Sequence, residues 1–242
     1  MANICALVVA AGRGSRAGLT YPKTLFELQG KPILIRIMEL LVPYDKVPTV
    51  IVSPDGENSI QKCLASSQRE AYLVVQPVPK GMGDAVLTFE KSPAYTAAQN
   101  ILLIWGDIPF IQPETVDAVV KRHLEHGNDF TFATRMVESA YTIVTRDFNG
   151  RVVGVVESRE VGISDHHKGE RDIGLFVFRK QIVFDALREE LTSKIGSTTG
   201  EHGFLYIIEH LSARGYKVEA LPVATELDLI SLNSIKDVCD FL

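Results

Sequence analysis

The fold is decided near the start of the chain, where residues 4–16 read ICALVVAAGRGSR. Residues 4–10 are apolar and include β-branched side chains, which predicts a buried strand. Alanine and glycine residues follow without a break, and their small size lets backbone N–H groups approach an anion closely. The segment therefore predicts a strand that runs directly into a phosphate-binding loop.

A second interpretation of this segment exists, because Gly12, Gly14 and Ala17 also match the dinucleotide-binding pattern G-x-G-x-x-G/A. In that fold the glycines open directly into a helix, and an acidic residue about 20 positions later binds the ribose. Here further glycine and proline residues interrupt the segment up to residue 30. The first acid, Glu27, falls inside the same stretch. We therefore predict an extended loop that carries Lys23 past the glycines before a helix begins.

Strands and helices are predicted to alternate through the first half of the chain. The predicted strands are residues 4–10, 49–52, 71–75 and 101–105, and the predicted helices are residues 32–41, 57–66 and 113–125. This order indicates a parallel sheet with right-handed crossover connections.

After residue 130 the predicted elements are mostly strands joined by turns. They are strands 130–133, 141–145, 152–156, 173–178 and 217–222, helices 181–191 and 205–214, and a final helix from Ser234. We expect an α/β fold with a Rossmann-like, mixed but mainly parallel sheet flanked by helices, and a small antiparallel extension. The chain is predicted to be a single domain, residues 1–242, whose rhythm changes at about residue 130.

Composition limits the classes of function. The 242 residues are 46% hydrophobic with a formal net charge of -5, which suffices for a buried core and disfavours binding to nucleic acid. The apolar run at residues 4–11 is too short to span a membrane, and three widely spaced cysteines fit a reducing cytoplasm. The histidines form no metal-ligand pattern, so we expect His123 and His126 to be exposed to solvent.

Several short motifs together resemble the sugar-1-phosphate nucleotidyltransferase family. The pattern A-A-G-x-G-x-R, followed after a short gap by P-K at residues 22–23, is similar to the signature of that family. Further segments match family motifs in order and spacing: VQ at 75–76, GMG at 81–83, WGDIP at 105–109, GVVE at 154–157, DIG at 172–174, GE at 200–201 and LN at 232–233. From Ala6 almost to the C-terminus, the chain resembles the uridylyltransferase domain of bacterial N-acetylglucosamine-1-phosphate uridylyltransferases.

The resemblance implies a fold and a reaction. The fold would be the nucleotide-diphospho-sugar transferase fold, with the nucleotide bound by about residues 1–130 and the sugar by about residues 131–242. The implied substrates are a nucleoside triphosphate, UTP in the first place, and N-acetylglucosamine 1-phosphate or a related hexose or hexosamine 1-phosphate. The products would be a nucleotide sugar and pyrophosphate. A sugar phosphate has a second pKa of about 6 and is already a dianionic nucleophile, so the reaction needs no general base.

The resemblance also implies roles for individual residues. Arg16 and Lys23 would be the catalytic cations that contact the phosphates. Asp107 and Asn233 would hold a Mg²⁺ ion through hard oxygen atoms, although they could instead be a turn-forming aspartate and a helix N-cap. The implied nucleotide-binding residues are Val9, Ala10, Ala11, Gly12, Gly14, Gln76, Gly81, Met82, Trp105 and Gly106. The implied sugar-binding residues are Glu157, Asp172 and Glu201.

Departures from the family pattern concern the specificity pocket. Met82 stands where the family has threonine, Asp172 stands where it has asparagine, and residues 140–143 lack a glycine-rich stretch. A relative that uses GTP, CTP or dTTP with another phosphorylated sugar or alcohol therefore remains an alternative, as does a non-catalytic nucleotide-binding sensor. The sequence contains no hexapeptide repeats, so no C-terminal β-helix acyltransferase domain is expected. A homo-oligomer is compatible with the sequence.

Overall fold

Strands and helices alternate through the first half of the chain, as predicted. A computed structural model describes residues 3–12, 14, 18–158, 160 and 167–241. In chain order its elements are β1 (Ile4–Val9), β2 (Glu27–Leu28), β3 (Lys31–Pro32), α1 (Ile33–Leu41), β4 (Thr49–Val52), α2 (Glu57–Ser66), β5 (Tyr72–Val75), α3 (Met82–Thr88), β6 (Asn100–Trp105), α4 (Pro113–His126), β7 (Phe130–Ala140), β8 (Thr142–Arg146), β9 (Val152–Glu157), β10 (His167–Arg179), α5 (Lys180–Arg188), α6 (Ile207–Ala213) and β11 (Val218–Leu221). Short 3₁₀ helices occupy Lys23–Leu25, Phe89–Lys91, Thr192–Lys194, Leu227–Leu229 and Ile235–Phe241. None of the helices in these ranges is both long enough and apolar enough to cross a membrane.

Seven of the described strands form one sheet in the order β11-β7-β10-β6-β1-β4-β5. Strands β6, β1, β4 and β5 are parallel neighbours, and β11 is parallel to β7. In contrast, β10 runs antiparallel to both of its neighbours, β6 and β7. Two hairpins, β2–β3 and β8–β9, lie outside this sheet. A mainly parallel sheet with small antiparallel additions confirms the predicted fold class.

Helices cover both faces of the sheet, which explains why β1 is apolar throughout. Ala6 and Val8 face a hydrophobic cluster that includes residues of α1 and α4, whereas Cys5, Leu7 and Val9 face a second cluster that includes residues of α3, α5 and α6. Successive strand side chains point to opposite faces, so a strand covered on both sides is a continuous apolar run. Burying one large aliphatic side chain in this way stabilises the fold by about 1.5–3 kcal/mol.

The predicted bounds agree with the structure in some elements and not in others. β4 and α2 have the predicted bounds. β7 and β10 are longer than predicted, because their polar residues pair with one another beyond the apolar core. The strand predicted at 130–133 belongs to the main sheet as part of β7, so β8 and β9 form the separate antiparallel unit. The final helix is a 3₁₀ helix that begins at Ile235.

The prediction that His123 is exposed is wrong. Its side chain is 2% exposed, with Nδ1 lying 3.0 Å from Thr131 Oγ1 and Nε2 lying 3.0 Å from Asn100 Oδ1. These contacts join α4 to β7 and β6, so the histidine is part of the protein interior. His126, on the same helix, is exposed as predicted.

Candidate active site

Lys23 lies against the loop after β1 that contains Gly12 and Gly14, which we call the glycine loop. Pro22 precedes the 3₁₀ helix Lys23–Leu25, in which the N–H of Leu25 donates to the carbonyl of Pro22 over 2.9 Å. Gly14 has a φ of +72°, and a Cβ at this position would lie 3.2 Å from Lys23 Cγ. Glycine therefore permits both the left-handed turn and the close passage of the lysine stem.

Asp107 lies at the carboxyl end of β6, beside the end of β1. Val9 is paired with Trp105 in the sheet, and the N–H of Gly106 donates to the carbonyl of Val9 over 2.9 Å. The Asp107 carboxylate accepts a hydrogen bond from Lys23, with 2.5 Å between Nζ and Oδ2. Ligands of open α/β sheets bind at the carboxyl ends of parallel strands, and this ion pair occupies such an edge.

A third segment, from the C-terminal part of the chain, reaches the same edge. The N–H of Leu232 donates to the backbone carbonyl of Asp107 over 2.9 Å, which puts Asn233 next to the predicted metal ligand. The side-chain Nδ2 of Asn233 donates to Ser231 Oγ over 2.9 Å. Its backbone N–H donates to the Asp237 carboxylate over 3.1 Å. The predicted metal-binding pair is thus brought together.

The donor atoms at this edge fit a magnesium ion that is shared with phosphate groups. The Asp107 side chain is 23% exposed, and Asn233 is exposed. In the described part of the chain, no group of three or more His, Cys, Asp and Glu side chains could hold a metal ion by itself. Mg²⁺ typically binds through one or two carboxylates together with substrate phosphates and waters. One carboxylate and one amide oxygen therefore suit Mg²⁺ when phosphates supply further ligands.

Gln76 lies at the end of β5 with a fixed amide orientation. It is buried, and its Nε2 donates to Asp84 Oδ2 over 2.8 Å and to the carbonyl of Gly81 over 3.2 Å. Both partners can only accept, so the amide nitrogen is assigned by the hydrogen bonds themselves. The carbonyl oxygen of Gln76 is therefore the atom that can accept a hydrogen bond from another group.

Residues 81–83 dock on residues 201–203, and we call this contact the glycine clasp. The N–H of Gly83 donates to the carbonyl of His202 over 3.0 Å, and the N–H of His202 donates to the carbonyl of Lys80 over 2.6 Å. A Cβ at Gly83 would overlap the carbonyl oxygen of Gly203 and would lie 2.7 Å from His202 Nε2. A Cβ at Gly81 would lie 2.9 Å from Glu201 Cβ. The clasp thus brings two predicted motifs together, although they are far apart in sequence.

Asp172 is buried on β10, and both of its carboxylate oxygens accept hydrogen bonds. Thr142 Oγ1 donates to Oδ1 over 2.5 Å, and the N–H of Gly174 donates to Oδ2 over 3.1 Å. Burial raises the pKa of the Asp172 carboxyl, and the hydrogen bond from Thr142 acts in the opposite direction. Thr142 is also paired with Glu157 between β8 and β9. Two departures from the family pattern, at Thr142 and Asp172, therefore form one hydrogen-bonded pair.

Comparison with known proteins identifies the family. Residues 6–209 match the MobA-like NTP transferase domain. The chain belongs to this family. The bifunctional protein GlmU from Carboxydothermus hydrogenoformans is 26% identical to it over 229 residues, which are 94% of this chain and 49% of GlmU. This nucleotidyltransferase chain spans about half the length of the curated relatives it matches.

Solved structures show that the nucleotidyltransferase fold extends over nearly the whole chain. A UDP-glucose pyrophosphorylase complexed with UDP-glucose has a TM-score of 0.71 at 18% identity, and the match covers 95% of this chain and 96% of that one. The inositol-1-phosphate CTP transferase from T. maritima has a TM-score of 0.69 at 18% identity, with 91% and 85% covered. These similarities support the fold and not a particular substrate.

In this nucleotidyltransferase, the predicted site residues that the structure describes come from both halves of the chain. Val9, Ala10, Ala11, Gly12 and Gly14 lie at the end of β1 and in the loop that follows it. Trp105, at the end of β6, packs on Phe176 and Phe204, with ring centroids 5.0 and 5.4 Å away. Met82 is half-buried at the first position of α3. Arg16 lies outside the described residues.

The segment that carries Glu201 connects the two halves of the site. Ser197 Oγ donates to the Glu160 carbonyl over 2.9 Å, and Thr199 Oγ1 donates to Glu160 Oε1 over 2.9 Å. Glu160 follows Glu157, the last residue of β9. The segment therefore contacts the β9 side at one end and the glycine clasp at the other.

Arg171 and Tyr141 lie outside the residues for which the sequence motifs predict a role. Arg171 Nη2 donates to Tyr141 Oη over 2.7 Å, and the guanidinium carbon lies 4.0 Å from the centroid of the Tyr141 ring. Only their positions in the sequence point to the site, because Arg171 directly precedes the DIG motif and Tyr141 lies in the divergent stretch 140–143.

Proposed function

We propose that this chain transfers a nucleotidyl group from a nucleoside triphosphate to the phosphate of a sugar 1-phosphate and releases pyrophosphate. UTP and N-acetylglucosamine 1-phosphate, or a related hexose or hexosamine 1-phosphate, are the favoured substrates. The observation that carries the proposal is the ion pair of Lys23 and Asp107 between the glycine loop and the end of β6. Family membership supports it independently.

The proposed reaction depends on alignment and charge neutralisation. A phosphate oxygen of the sugar 1-phosphate bonds to the α-phosphorus of the triphosphate, while the bond from that phosphorus to the oxygen leading to the β-phosphorus breaks. Pyrophosphate leaves with the electron pair of that bond. The acceptor phosphate is already a dianion near neutral pH, so the side chains need only hold two anions together and offset their charge.

The position of Lys23 supports the proposed role of a catalytic cation. Asp107 Oδ2 lies 2.5 Å from the ammonium nitrogen of Lys23 and fixes that group beside the glycine loop. Little side-chain ordering then remains when a triphosphate enters, which is the advantage of a preorganised charge. Asp107 and Asn233 would hold a Mg²⁺ ion, which supplies further positive charge to the phosphates when bound. Arg16 is proposed as the second cation on the basis of its place in the loop sequence.

The fixed amide of Gln76 supports a base with an N–H group on its pairing edge. Its nitrogen is occupied by Asp84 and Gly81, which leaves the carbonyl oxygen as an acceptor. Uracil presents a ring N–H that can donate to this oxygen, whereas the corresponding nitrogen of cytosine is an acceptor. This complementarity favours UTP over CTP.

A related reaction with another base or another acceptor is the second candidate. It is favoured by Met82, which replaces the hydroxyl of the family threonine with a thioether, and by the buried Thr142–Asp172 pair. Both features concern specificity and leave the phosphate chemistry unchanged. Glu157, Asp172 and Glu201 are proposed to shape the sugar pocket, with Asp172 acting through Thr142 because its oxygens are already hydrogen-bonded.

The deciding experiment is a matrix of nucleoside triphosphates and sugar 1-phosphates, incubated with the purified chain and Mg²⁺ while pyrophosphate is measured. Release with UTP and a hexosamine 1-phosphate supports the first candidate, and release only with another pair supports the second. If the chain binds a triphosphate but no pair yields pyrophosphate, the proposed reaction is wrong and a nucleotide sensor is the better description.

A further inference from the structure

Arg171 lies beyond the end of β6, at the edge of the sheet that carries Asp107. β10 runs antiparallel to β6, and Leu175 is paired with Ile104 near the carboxyl end of β6. Residues that precede Leu175 on β10 therefore continue past that end. Arg171 is on this extension, so it approaches the site from the flank opposite the glycine loop.

The Arg171 guanidinium is held in place by its contacts, and no carboxylate among the described residues forms an ion pair with it. It stacks on Tyr141, and Nη2 donates to Tyr141 Oη over 2.7 Å and to the Leu229 carbonyl over 3.4 Å. Its Nε is buried, with no hydrogen-bond partner in the described part of the chain. Arg135 and Arg179, in contrast, each pair with a carboxylate, whereas none of the ion pairs found among the described residues involves Arg171.

The surroundings of Tyr141 indicate that this pair is close to the reaction site. Burial raises the pKa of the Tyr141 hydroxyl, the charge of Asp172 raises it further, Arg171 lowers it, and the charge of Asp107 raises it slightly. Leu229 belongs to the C-terminal segment that leads to Leu232, whose N–H donates to the Asp107 carbonyl. Two independent chain segments therefore connect Arg171 with the Asp107 edge.

We propose that Arg171 binds the phosphate group of the acceptor, a phosphomonoester, on the side of the site opposite the glycine loop. This inference rests on the proposed function. A guanidinium with free N–H groups matches a phosphate in shape and charge, and stacking on an aromatic ring fixes its plane. Lys23 and the glycine loop are on the β1 side, where the triphosphate is proposed to bind. In-line displacement requires the attacking phosphate to approach from the other side, and Arg171 is placed to hold it there.

The kinetic test compares Arg171→Gln with Arg179→Gln. Arg179 is on the same strand at its far end, where it pairs with Asp129, so it controls for the same loss of charge. Pyrophosphate release is measured while one substrate is varied and the other is saturating. We expect the KM for N-acetylglucosamine 1-phosphate to rise about 10- to 100-fold in Arg171→Gln, the effect of losing hydrogen bonds to a charged group. The KM for UTP should stay at the wild-type value. An equal rise in both KM values, or no rise in either, overturns the proposal.

A binding test separates this proposal from the proposed reaction. Thermal unfolding is followed with inorganic phosphate, and then with N-acetylglucosamine 1-phosphate, without nucleotide. Both ligands should raise the Tm of the wild-type and Arg179→Gln proteins but have little effect on Arg171→Gln, because binding to the folded state stabilises it. If the wild-type protein releases no pyrophosphate with any substrate pair but this difference in Tm is observed, the proposed reaction is wrong and the proposed anion site is supported. Equal Tm shifts in all three proteins overturn the anion site.

Arg171→Lys serves as a second variant if circular dichroism shows that Arg171→Gln does not fold. Lysine keeps the charge but lacks the planar group that stacks on Tyr141. We expect a smaller rise in the KM for the sugar 1-phosphate and an unchanged KM for UTP. A rise confined to the KM for UTP would instead assign Arg171 to the triphosphate and contradict the proposal.

Discussion

Lys23 Nζ and Asp107 Oδ2 lie 2.5 Å apart, although 84 positions separate the two residues in sequence. The contact joins the loop after β1 to the end of β6, and the backbone of Leu232 brings a third segment to the same aspartate. The proposed chemistry requires a cationic side chain, Lys23, close to an acidic residue that could bind a metal ion, Asp107. The consequences can be tested residue by residue.

Lys23→Ala is expected to lower kcat on the order of a hundredfold or more, the scale for losing one preorganised electrostatic contact. The measurement is pyrophosphate release under saturating substrates. Lys31→Ala is the matched control, because Lys31 pairs with Glu39 on a more exposed surface, and it should retain wild-type kcat. Near-normal turnover in a folded Lys23→Ala protein would remove Lys23 from the reaction.

Metal removal should abolish turnover, and Asn233→Ala should raise the Mg²⁺ concentration needed for half-maximal rate by on the order of tenfold. The expected cause is the loss of one oxygen ligand beside Asp107. Asn233→Asp should recover Mg²⁺ affinity because it restores a hard oxygen. Asn58→Ala, on the exposed surface of α2, is the control. Identical Mg²⁺ curves for Asn233→Ala and wild type would show that Asn233 is not a ligand.

Gly83→Ala should disrupt the glycine clasp, because the added methyl group would overlap the carbonyl oxygen of Gly203. We expect the free energy of unfolding in urea to fall by about 1–3 kcal/mol, the usual cost of overpacking, and the KM for the nucleotide to rise. Gly203→Ala makes the same chemical change on the facing segment, where the nearest atom would be 3.4 Å from the new Cβ. If both variants lose equal stability, steric exclusion at Gly83 is not the cause.

Folding stability should depend on pH through His123. Burial, and next the charge of Arg179, lower the pKa of His123 to about 4 from an ordinary value of 6.5. As pH falls below 6.5, the unfolded chain takes up a proton that the folded protein does not, until about pH 4. The free energy of unfolding should therefore be highest above this window and decline by about 1.4 kcal/mol per pH unit within it.

Urea unfolding at about pH 7 and about pH 5 measures this decline. His123→Gln should lose much of the difference between the two conditions, since the titrating group is gone. His126→Gln, three positions along the same helix and exposed, should behave as wild type. If the free energy of unfolding of His123→Gln changes between the two pH values as much as that of the wild type, the pH dependence arises from other groups.

The sequence predicts best those elements whose own pattern suffices to identify them. β1, β4 and α2 are short, strongly patterned segments with clear ends, and their bounds are within one residue of those predicted. The polar start of β10 is different. Its residues from His167 to Asp172 carry no apolar pattern and become a strand because β7 provides hydrogen-bond partners. Such a strand depends on tertiary contacts and is not visible in local composition.

The same limit applies to the candidate site. Motif order predicts that Lys23, Asp107 and Asn233 work together, and the structure brings these three residues to one edge. The hydrophobic pattern of the sequence does not predict α3, because this helix has only seven residues and includes a glycine. Its first turn is stabilised by a tertiary contact, the hydrogen bond from the N–H of Gly83 to the carbonyl of His202. The sequence pattern also misplaces His123, because a histidine on a helix gives no sign of the Asn100 and Thr131 partners that make burial favourable.

The reversed direction of β10 has a consequence for engineering. A strand that runs antiparallel to its neighbours has its beginning, rather than its end, at the edge of the sheet where the substrates are proposed to meet. The polar beginning of β10 and the β8–β9 hairpin are therefore the segments to exchange in a redesign, while the parallel strands β6, β1, β4 and β5 are left intact. Retargeting the protein to a new acceptor would then leave untouched the part of the chain that is proposed to bind the nucleotide.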